Sequence, residues 1–343
     1  MAPRGGHFAR LLLVLSLVLL AAAHPPPPAA FAEESSPYSK ALAAYQDRRL
    51  KDAFTYAKEA VRQEPEHVDA QVLLGELYYQ RQDLGRAKES WQRALKLAPS
   101  RQDVRDRLEK LEREAKVESG FARNDTAPFV VRFAEGEVPA SLTDLREFLL
   151  ETYRLVGQQM GYFPNHPITV LIYPAEGFKQ VQGLSHQTAG LYDGKIRLPL
   201  RDGEGADLEL KRVFWHEYTH ALVHDLAKGK CPVWLNEGIA TLQEARVLPI
   251  NLQPVREAYE GKKLIPWDQL WKEEYAQGEL ELHYAQAYSI AQYLAKRWGF
   301  RKLESLLNRL GEGYPLADAF RAEYRMAPAA IEKEWLTWLR RNL

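Results

Sequence analysis

Cysteine is nearly absent from this sequence of 343 residues, because Cys231 is the only one. A single thiol excludes an intramolecular disulfide and any metal site built from a cysteine cluster. The chain also lacks net charge, since 46 basic and 46 acidic residues balance. That balance argues against a protein built mainly to coat nucleic acid or an anionic membrane. Beyond residue 32 no apolar stretch is long enough to cross a bilayer, so we expect no membrane span there.

What is present is a globular composition, with 46% hydrophobic and 27% charged residues. These values exclude a mostly disordered or fibrous chain. The length suggests about two domains, each large enough to bury its own core.

The first 32 residues have the order of a secretory signal peptide. Arg4 and Arg10 precede an uncharged apolar run, Leu11–Ala23, and small residues at positions 30 and 32 follow. Basic, apolar and small residues in that order are typical of an export signal. The run is shorter than the roughly 20 residues of a membrane helix. We therefore expect residues 1–32 to be removed and the mature protein to be periplasmic or secreted, the alternative being an uncleaved N-terminal anchor.

Residues 35–116 contain a helical repeat. Small residues and prolines recur at a spacing of 34 positions, with Ala53, Ala60 and Pro65 matched by Ala87, Ala94 and Pro99. In the second copy, Gly75 and Ala87 are small where two antiparallel helices would meet, and Leu74, Tyr78 and Trp91 fill the gaps between turns. The pattern resembles tetratricopeptide repeats, which implies helix pairs that bind a peptide or partner protein. Packing against the next domain is the alternative role, and residues 103–115 are predicted to be a capping helix.

The rest of the chain predicts a short linker and a mixed domain. Residues 117–128 contain glycine, asparagine and proline and are predicted to be the linker, and residues 129–343 form the mixed domain. Strands come first and helices later, which indicates α+β organisation. The predicted strands are at 129–133, 168–173 and 189–200, and the predicted helices are at 142–160, 207–227, 232–245, 280–298, 300–311 and 327–342.

The pattern His-Glu-x-x-His at residues 216–220 carries the chemistry. Four residues of helix advance about 400°, so His216 and His220 share one face and can reach a single Zn²⁺. Glu217 stands beside the first histidine, where a general base that takes a proton from water belongs.

Glu237 is the predicted third ligand. It follows His220 after 16 residues, on a helix whose first turn Pro232 favours. Two histidines and a glutamate leave one position of a tetrahedral zinc open for catalysis. Here the sequence resembles a gluzincin metallopeptidase, close to the peptidase-MA-like domains that follow tetratricopeptide repeats. Residues 234–240 resemble the third-ligand helix of that clan. The resemblance implies a zincin-like α+β domain, a Zn²⁺ cofactor and a peptide or protein substrate.

Two rival metal sites are rejected. His224 shares the helix face but lies about 12 Å along the axis from His216, too far for one metal to bridge. A metzincin site would need glycine at position 223 and histidine at 226, where the chain has Val223 and Leu226.

A tyrosine is expected to stabilise the oxyanion formed when water attacks the peptide carbonyl. Tyr284 and Tyr288 share a helix face, and the resemblance favours Tyr284 and then Tyr288. Packing in an aromatic core is the alternative for each. The segment Gly190–Leu200 is expected to be an edge strand along which substrate pairs, or else a plain structural strand. Cys231 is interpreted as a small buried residue, with inhibition of the zinc as the alternative.

These residues predict a zinc-dependent peptidase in which Glu217 is the general base. The element Gly-x-Met-Glu-Asn, which captures a free N-terminus in aminopeptidases of this clan, is absent, so an endopeptidase is favoured. The alternative is a partner-binding repeat protein of the cell envelope that uses the zincin domain as a platform.

Overall fold

The computed structural model describes residues 36–134, 142–182, 190–200, 206–270 and 280–343. The segment predicted to be a signal peptide lies outside them. Helical repeats come first, followed by a sheet and then by mostly helical structure, which confirms the predicted α+β fold with an N-terminal helical repeat. Over the described part of the chain, no helix combines the length and the apolar character needed to cross a membrane.

The first five helices form two antiparallel pairs and a capping helix. Helices α3 and α4 meet at Gly75, where an added Cβ would lie 2.3 Å from the indole of Trp91. The small residue predicted at this crossing is therefore required for the close approach, and Trp91 Nε1 donates a hydrogen bond to the Val72 carbonyl at 3.1 Å. The bounds are α1 Pro37–Gln46, α2 Leu50–Gln63, α3 Val68–Gln80, α4 Leu84–Leu97 and α5 Gln102–Glu118.

A five-stranded sheet follows the repeats. Its order is β1-β2-β3-β5-β4, and the two central pairs, β2 with β3 and β3 with β5, are parallel. The outer pairs are antiparallel, which leaves the short strand β4 at one edge. The bounds are β1 Phe121–Thr126, β2 Phe129–Ala134, β3 Ile168–Pro174, β4 Leu191–Tyr192 and β5 Ile196–Leu200.

The predicted linker at residues 117–128 is wrong. Helix α5 continues to Glu118, and all six residues of β1 pair with β2. Gly120 ends the helix at a φ of 88°, as its type suggests. Residues that break a helix can still form an edge strand. Hydrogen bonds with β2 stabilise that strand even though the local sequence does not favour it.

Helices cover both faces of the sheet. Val170 and Ile172 of β3 face one core with Phe214 and Tyr218, whereas Leu171 and Tyr173 face a separate cluster with Phe178. This alternation is the period of two that a strand buried on both faces requires. The helices of this part are α6 Leu142–Met160, α7 Ala175–Gln182, α8 Ala206–Leu226, α9 Val233–Glu244, α10 Gln253–Glu260, α11 Trp267–Leu270, α12 Leu280–Trp298, α13 Phe300–Gly311, α14 Leu316–Tyr324 and α15 Pro328–Asn342.

A buried ionic network joins the repeats to the sheet. The guanidinium of Arg197 on β5 is fully buried and lies 3.0 Å from carboxylate oxygens of both Glu114 and Glu118 on α5. The same guanidinium donates to the hydroxyl of Tyr79 on α3 at 2.9 Å. Buried charges are tolerated only when they are paired and hydrogen-bonded, so the repeats pack on the sheet as an integral part of the fold.

Candidate metal centre

Two helices bring the predicted metal ligands together. His216 and His220 lie one turn apart on α8, with ring centroids 4.6 Å apart and ring planes at 88°. Glu237 extends from α9, and its Oε2 lies 3.3 Å from His216 Nε2 and 3.6 Å from His220 Nε2. One ligand atom from each of the three residues lies within 4.8 Å of the others.

These separations fit the donor set of a tetrahedral zinc site. With bonds of about 2.0–2.1 Å, the ligand atoms of such a site lie about 3.3–3.4 Å from one another. The two measured distances from the Glu237 oxygen are close to that value. The residues present therefore fit a Zn²⁺ ion held by two imidazoles and one carboxylate.

The other nitrogen of each imidazole is held by a neighbour on α9. His216 Nδ1 donates to Glu244 Oε2 at 2.7 Å, and His220 Nδ1 donates to Asn236 Oδ1 at 2.9 Å. These bonds fix the ring orientation and leave both Nε2 atoms facing Glu237. Hydrogen bonds of this kind make a histidine a better metal ligand.

Sequence reasoning did not identify Glu244 or Asn236 as partners of the two histidines. A signal for Glu244 was present, because it follows Glu237 by seven residues, about two helical turns, and so shares a face of α9. Arg212, one turn before His216 on α8, pairs with Glu244 and also with Glu209 at 2.7 Å. Glu244 is thus held between Arg212 and His216.

The charges of the group suit a cation. Burial lowers the pKa of His220 to about 4, which favours the neutral imidazole that binds metal. Burial acts on His216 in the same direction, but hydrogen bonds with Glu237 and Glu244 outweigh it and raise its pKa to about 10. Burial also opposes ionisation of Glu237, yet the two histidines hold its pKa below the ordinary value. A site that retains a proton so strongly attracts cations, and metal binding would displace that proton.

Glu217 is buried beside this group, with only 6% of its surface exposed. Burial raises the pKa of its carboxyl to about 7. A carboxyl with a pKa close to neutral can both accept and return a proton at physiological pH. Gly190 lies against it so closely that an added Cβ would be 2.7 Å from Glu217 Oε1.

A pocket of about 390 Å³ opens over the three ligands and Glu217. One wall is the edge of the sheet, from Gly190 to Tyr192, and the other comes from the start of α12 with Leu280 and Tyr284. The edge strand expected over Gly190–Leu200 is present only in part, because β4 covers two residues at the edge and β5 lies inside the sheet between β3 and β4.

The two candidate tyrosines are in different places. Tyr284 lines the pocket. Tyr288 is not among the residues that line it, and its buried hydroxyl accepts a hydrogen bond from Gln292 at 2.8 Å. The geometry thus brings Tyr284, but not Tyr288, to the ligand group.

His224 and Cys231 lie behind the site. Both line a smaller neighbouring cavity, together with His220 and Asn236. The ring of His224 packs against that of Tyr192 at 5.8 Å, and burial lowers its pKa to about 4. His224 does not join the three-ligand group.

Two family models match this chain. Residues 203–341 match the Peptidase MA superfamily, and residues 44–111 match the Tetratricopeptide repeat. They occur in the order that the sequence predicts, and the first match contains α8, α9 and Tyr284. The resemblance drawn from the motifs is therefore confirmed. No curated protein matches the chain.

Proposed function

We propose that this protein is a zinc-dependent peptidase in which His216, His220 and Glu237 hold the metal and Glu217 is the general base. The match of residues 203–341 to the peptidase MA superfamily supports a peptidase. One observation carries the proposal: one donor atom from each of the three residues lies within 4.8 Å of the others, and the buried carboxyl of Glu217 lines the same pocket.

A bound zinc ion would act as a Lewis acid that polarises the scissile carbonyl and makes water a stronger nucleophile. Glu217 accepts the proton of the attacking water and then returns it to the leaving nitrogen. The Tyr284 hydroxyl donates a hydrogen bond to the oxyanion. Backbone groups of β4 pair with the extended substrate, which orients the scissile bond with little demand on side chains.

The proposed activity is that of an endopeptidase acting on peptide or protein substrates. The sequence has no element that resembles the N-terminus-binding segment of aminopeptidases in this clan. A peptide blocked at both ends should therefore still be cleaved. The alternative of a partner-binding platform is disfavoured because it gives no purpose to the buried carboxyl of Glu217 at the pocket.

Replacement of Glu217 by glutamine tests the mechanism. The Glu217→Gln variant should keep about one zinc ion per chain, because His216, His220 and Glu237 are unchanged. Its hydrolysis of a fluorogenic protein substrate should fall by about 10²–10⁴-fold, the usual contribution of a general base. Zinc content by elemental analysis and initial rates with and without chelator are the measurements. Full activity of the variant, or an unaltered rate of the wild type after zinc removal, would overturn the proposal.

We also propose that the protein acts outside the cytoplasm after removal of residues 1–32. The basic, apolar and small-residue order of that segment supports export. Mass spectrometry of the protein isolated from its native host would test it by the mass of the N-terminal peptide.

A further inference from the structure

A second cavity, of about 410 Å³, lies where the repeats meet the sheet. We call it the junction cavity. Its repeat side is formed by residues at the α1–α2 turn and the end of α3, and its sheet side by β1, the start of β3 and the β4–β5 turn. Both domains thus contribute to one binding-sized space, and neither the peptidase mechanism nor the repeat packing uses it.

The junction cavity is cationic. Arg48, Lys51, Arg81 and Arg123 line it, and no aspartate or glutamate is among its lining residues. Arg48 is neutralised by buried Asp225 at 2.9 Å, and Arg123 pairs with exposed Asp125. In the described part of the chain, Lys51 and Arg81 form no ion pair with an acidic side chain. Two cations in one concave space focus a positive potential, which attracts anionic groups.

Apolar side chains form the floor of the junction cavity. Leu77 and Ile168 are buried there, and Leu50 and Val130 are partly buried. The guanidinium of Arg81 stacks on the ring of Phe54 at 3.7 Å, which holds its charge at the rim. A bare inorganic anion would leave this apolar surface in water, whereas a polypeptide with acidic and apolar residues covers it.

The edge strand β4 borders both the junction cavity and the pocket over the three predicted ligands, which we call the metal pocket. Gly190, Leu191 and Tyr192 line the metal pocket, and Tyr192 and Gly194 line the junction cavity. Tyr192 therefore forms a wall of both. A polypeptide bound beside Tyr192 would therefore lie next to both spaces.

We propose that the junction cavity binds an acidic stretch of the polypeptide substrate while a bond next to that stretch lies in the metal pocket. The inference rests on the proposed peptidase function, for which it names a substrate class. Lys51 and Arg81 supply the charge that recognises the carboxylates. The repeats then select substrate through the cavity that they form with the sheet.

Binding to the Glu217→Gln protein tests this separately from catalysis. The probes are two fluorescein-labelled peptides, one with a run of glutamates flanked by leucine and alanine, the other with glutamines in their place. Fluorescence anisotropy should show tighter binding of the glutamate peptide, by about fivefold or more for each cation engaged. The preference should weaken as salt is raised, because exposed charges are screened.

A double variant, Lys51→Gln with Arg81→Gln, should remove most of that preference. The control is Lys40→Gln with Lys96→Gln, which changes the net charge equally at two exposed lysines on α1 and α4 outside the cavity. Melting temperatures of both double variants show that each is folded. Equal binding of the two peptides, or an undiminished preference in the Lys51 and Arg81 variant, would overturn the inference. Failure of hydrolysis in the wild type would instead count against the proposed function, since binding is measured in an inactive protein.

Discussion

Two tyrosines one turn apart on α12 differ in whether they can contact a reacting carbonyl. Tyr284 lines the metal pocket, whereas the hydroxyl of Tyr288 is held by Gln292. Tyr284→Phe should lower kcat by about 10²–10³-fold, the cost of losing one oxyanion donor, with little change in KM. Tyr288→Phe is the matched control and should leave both constants nearly unchanged. Steady-state kinetics on one peptide substrate distinguish them, and a greater loss in the Tyr288 variant would reverse the assignment.

Glu244 contacts His216, through which it would act on a bound metal. Its carboxylate accepts the Nδ1 proton at 2.7 Å, and burial opposes its ionisation, but His216 and Arg212 hold its pKa below the ordinary value. Glu244→Gln should therefore weaken zinc binding by about 10–100-fold, as loss of such a partner usually does. Competition with a chromophoric chelator measures the affinity. Glu260→Gln, at an exposed position of α10, is the control, and equal affinities in the two variants would show that Glu244 only packs.

At the residue scale, the local sequence pattern predicted the relative positions of side chains that lie on the same helix. The spacing of His216 and His220 implies a shared face in any helix, and in the structure both lie beside Glu237. The roles of Glu244 and Asn236 depend on how α9 crosses α8. That crossing is set by packing between different helices, so the spacing of Glu244 from Glu237 indicates a shared helix face but not a contact with His216, and no local pattern marks Asn236. The separation of Tyr284 from Tyr288 likewise depends on the tertiary position of α12.

At the element scale, α9 carries Glu237 into place because it packs closely on α12. Gly238 allows this approach, since an added Cβ would lie 2.5 Å from the backbone oxygen of Ala287. Gly238→Ala should force the helices apart, lower the free energy of unfolding by about 1–3 kcal/mol and weaken zinc binding by moving Glu237. Urea unfolding and chelator competition are the measurements.

Gly85→Ala is the control for the change in stability that replacing any helical glycine by alanine produces. Gly85 is also in a helix, but nothing lies within 4 Å of a Cβ added there. That variant should be as stable as the wild type or slightly more so, because alanine loses less backbone entropy than glycine in a helix. Unchanged zinc affinity in Gly238→Ala would show that α9 is not positioned through this contact.

The longer helices and the strands β2 and β3 were predicted well, whereas β1 was not. Helices α8, α9, α12 and α13 lie within a residue or two of their predicted bounds. Strand β1 was missed because its residues favour turns, and it exists through pairing with β2. Arg48 and Gln82 lie in turns at equivalent positions of the two repeats, each with φ near 60°. Arg48 hydrogen-bonds to Asp225 of the other domain, and Gln82 hydrogen-bonds to Lys195. No local signal indicates such contacts.

At the scale of the whole molecule, the order of the repeat region and the peptidase-like region could be predicted from the sequence. The way in which the two regions pack against each other could not. Repeats are recognised by internal periodicity, which describes contacts between neighbouring helices only. The contact between the two regions instead depends on Arg197, on the otherwise apolar strand β5, and on Lys195, which immediately precedes that strand. In sequence they resemble exposed residues of a half-buried strand. Both are fully buried in the structure, because α3 and α5 cover that face of the sheet.

Arg197 should therefore control whether the two regions unfold together. Arg197→Met removes the cation that faces Glu114 and Glu118 and leaves two buried carboxylates without their main partner. Breaking a buried ion pair on one side costs about 3–5 kcal/mol, so we expect the midpoint of urea unfolding to fall sharply. Because the lost contacts lie between the repeats and the sheet, the single cooperative transition expected of the wild type should separate into two, with the repeats unfolding first.

The control is Arg123→Met, which breaks only the exposed pair with Asp125 and should cause a much smaller shift of the unfolding midpoint. Calorimetry and urea unfolding monitored by circular dichroism would measure both variants, and a single unshifted transition for Arg197→Met would mean that the ionic network does not hold the regions together.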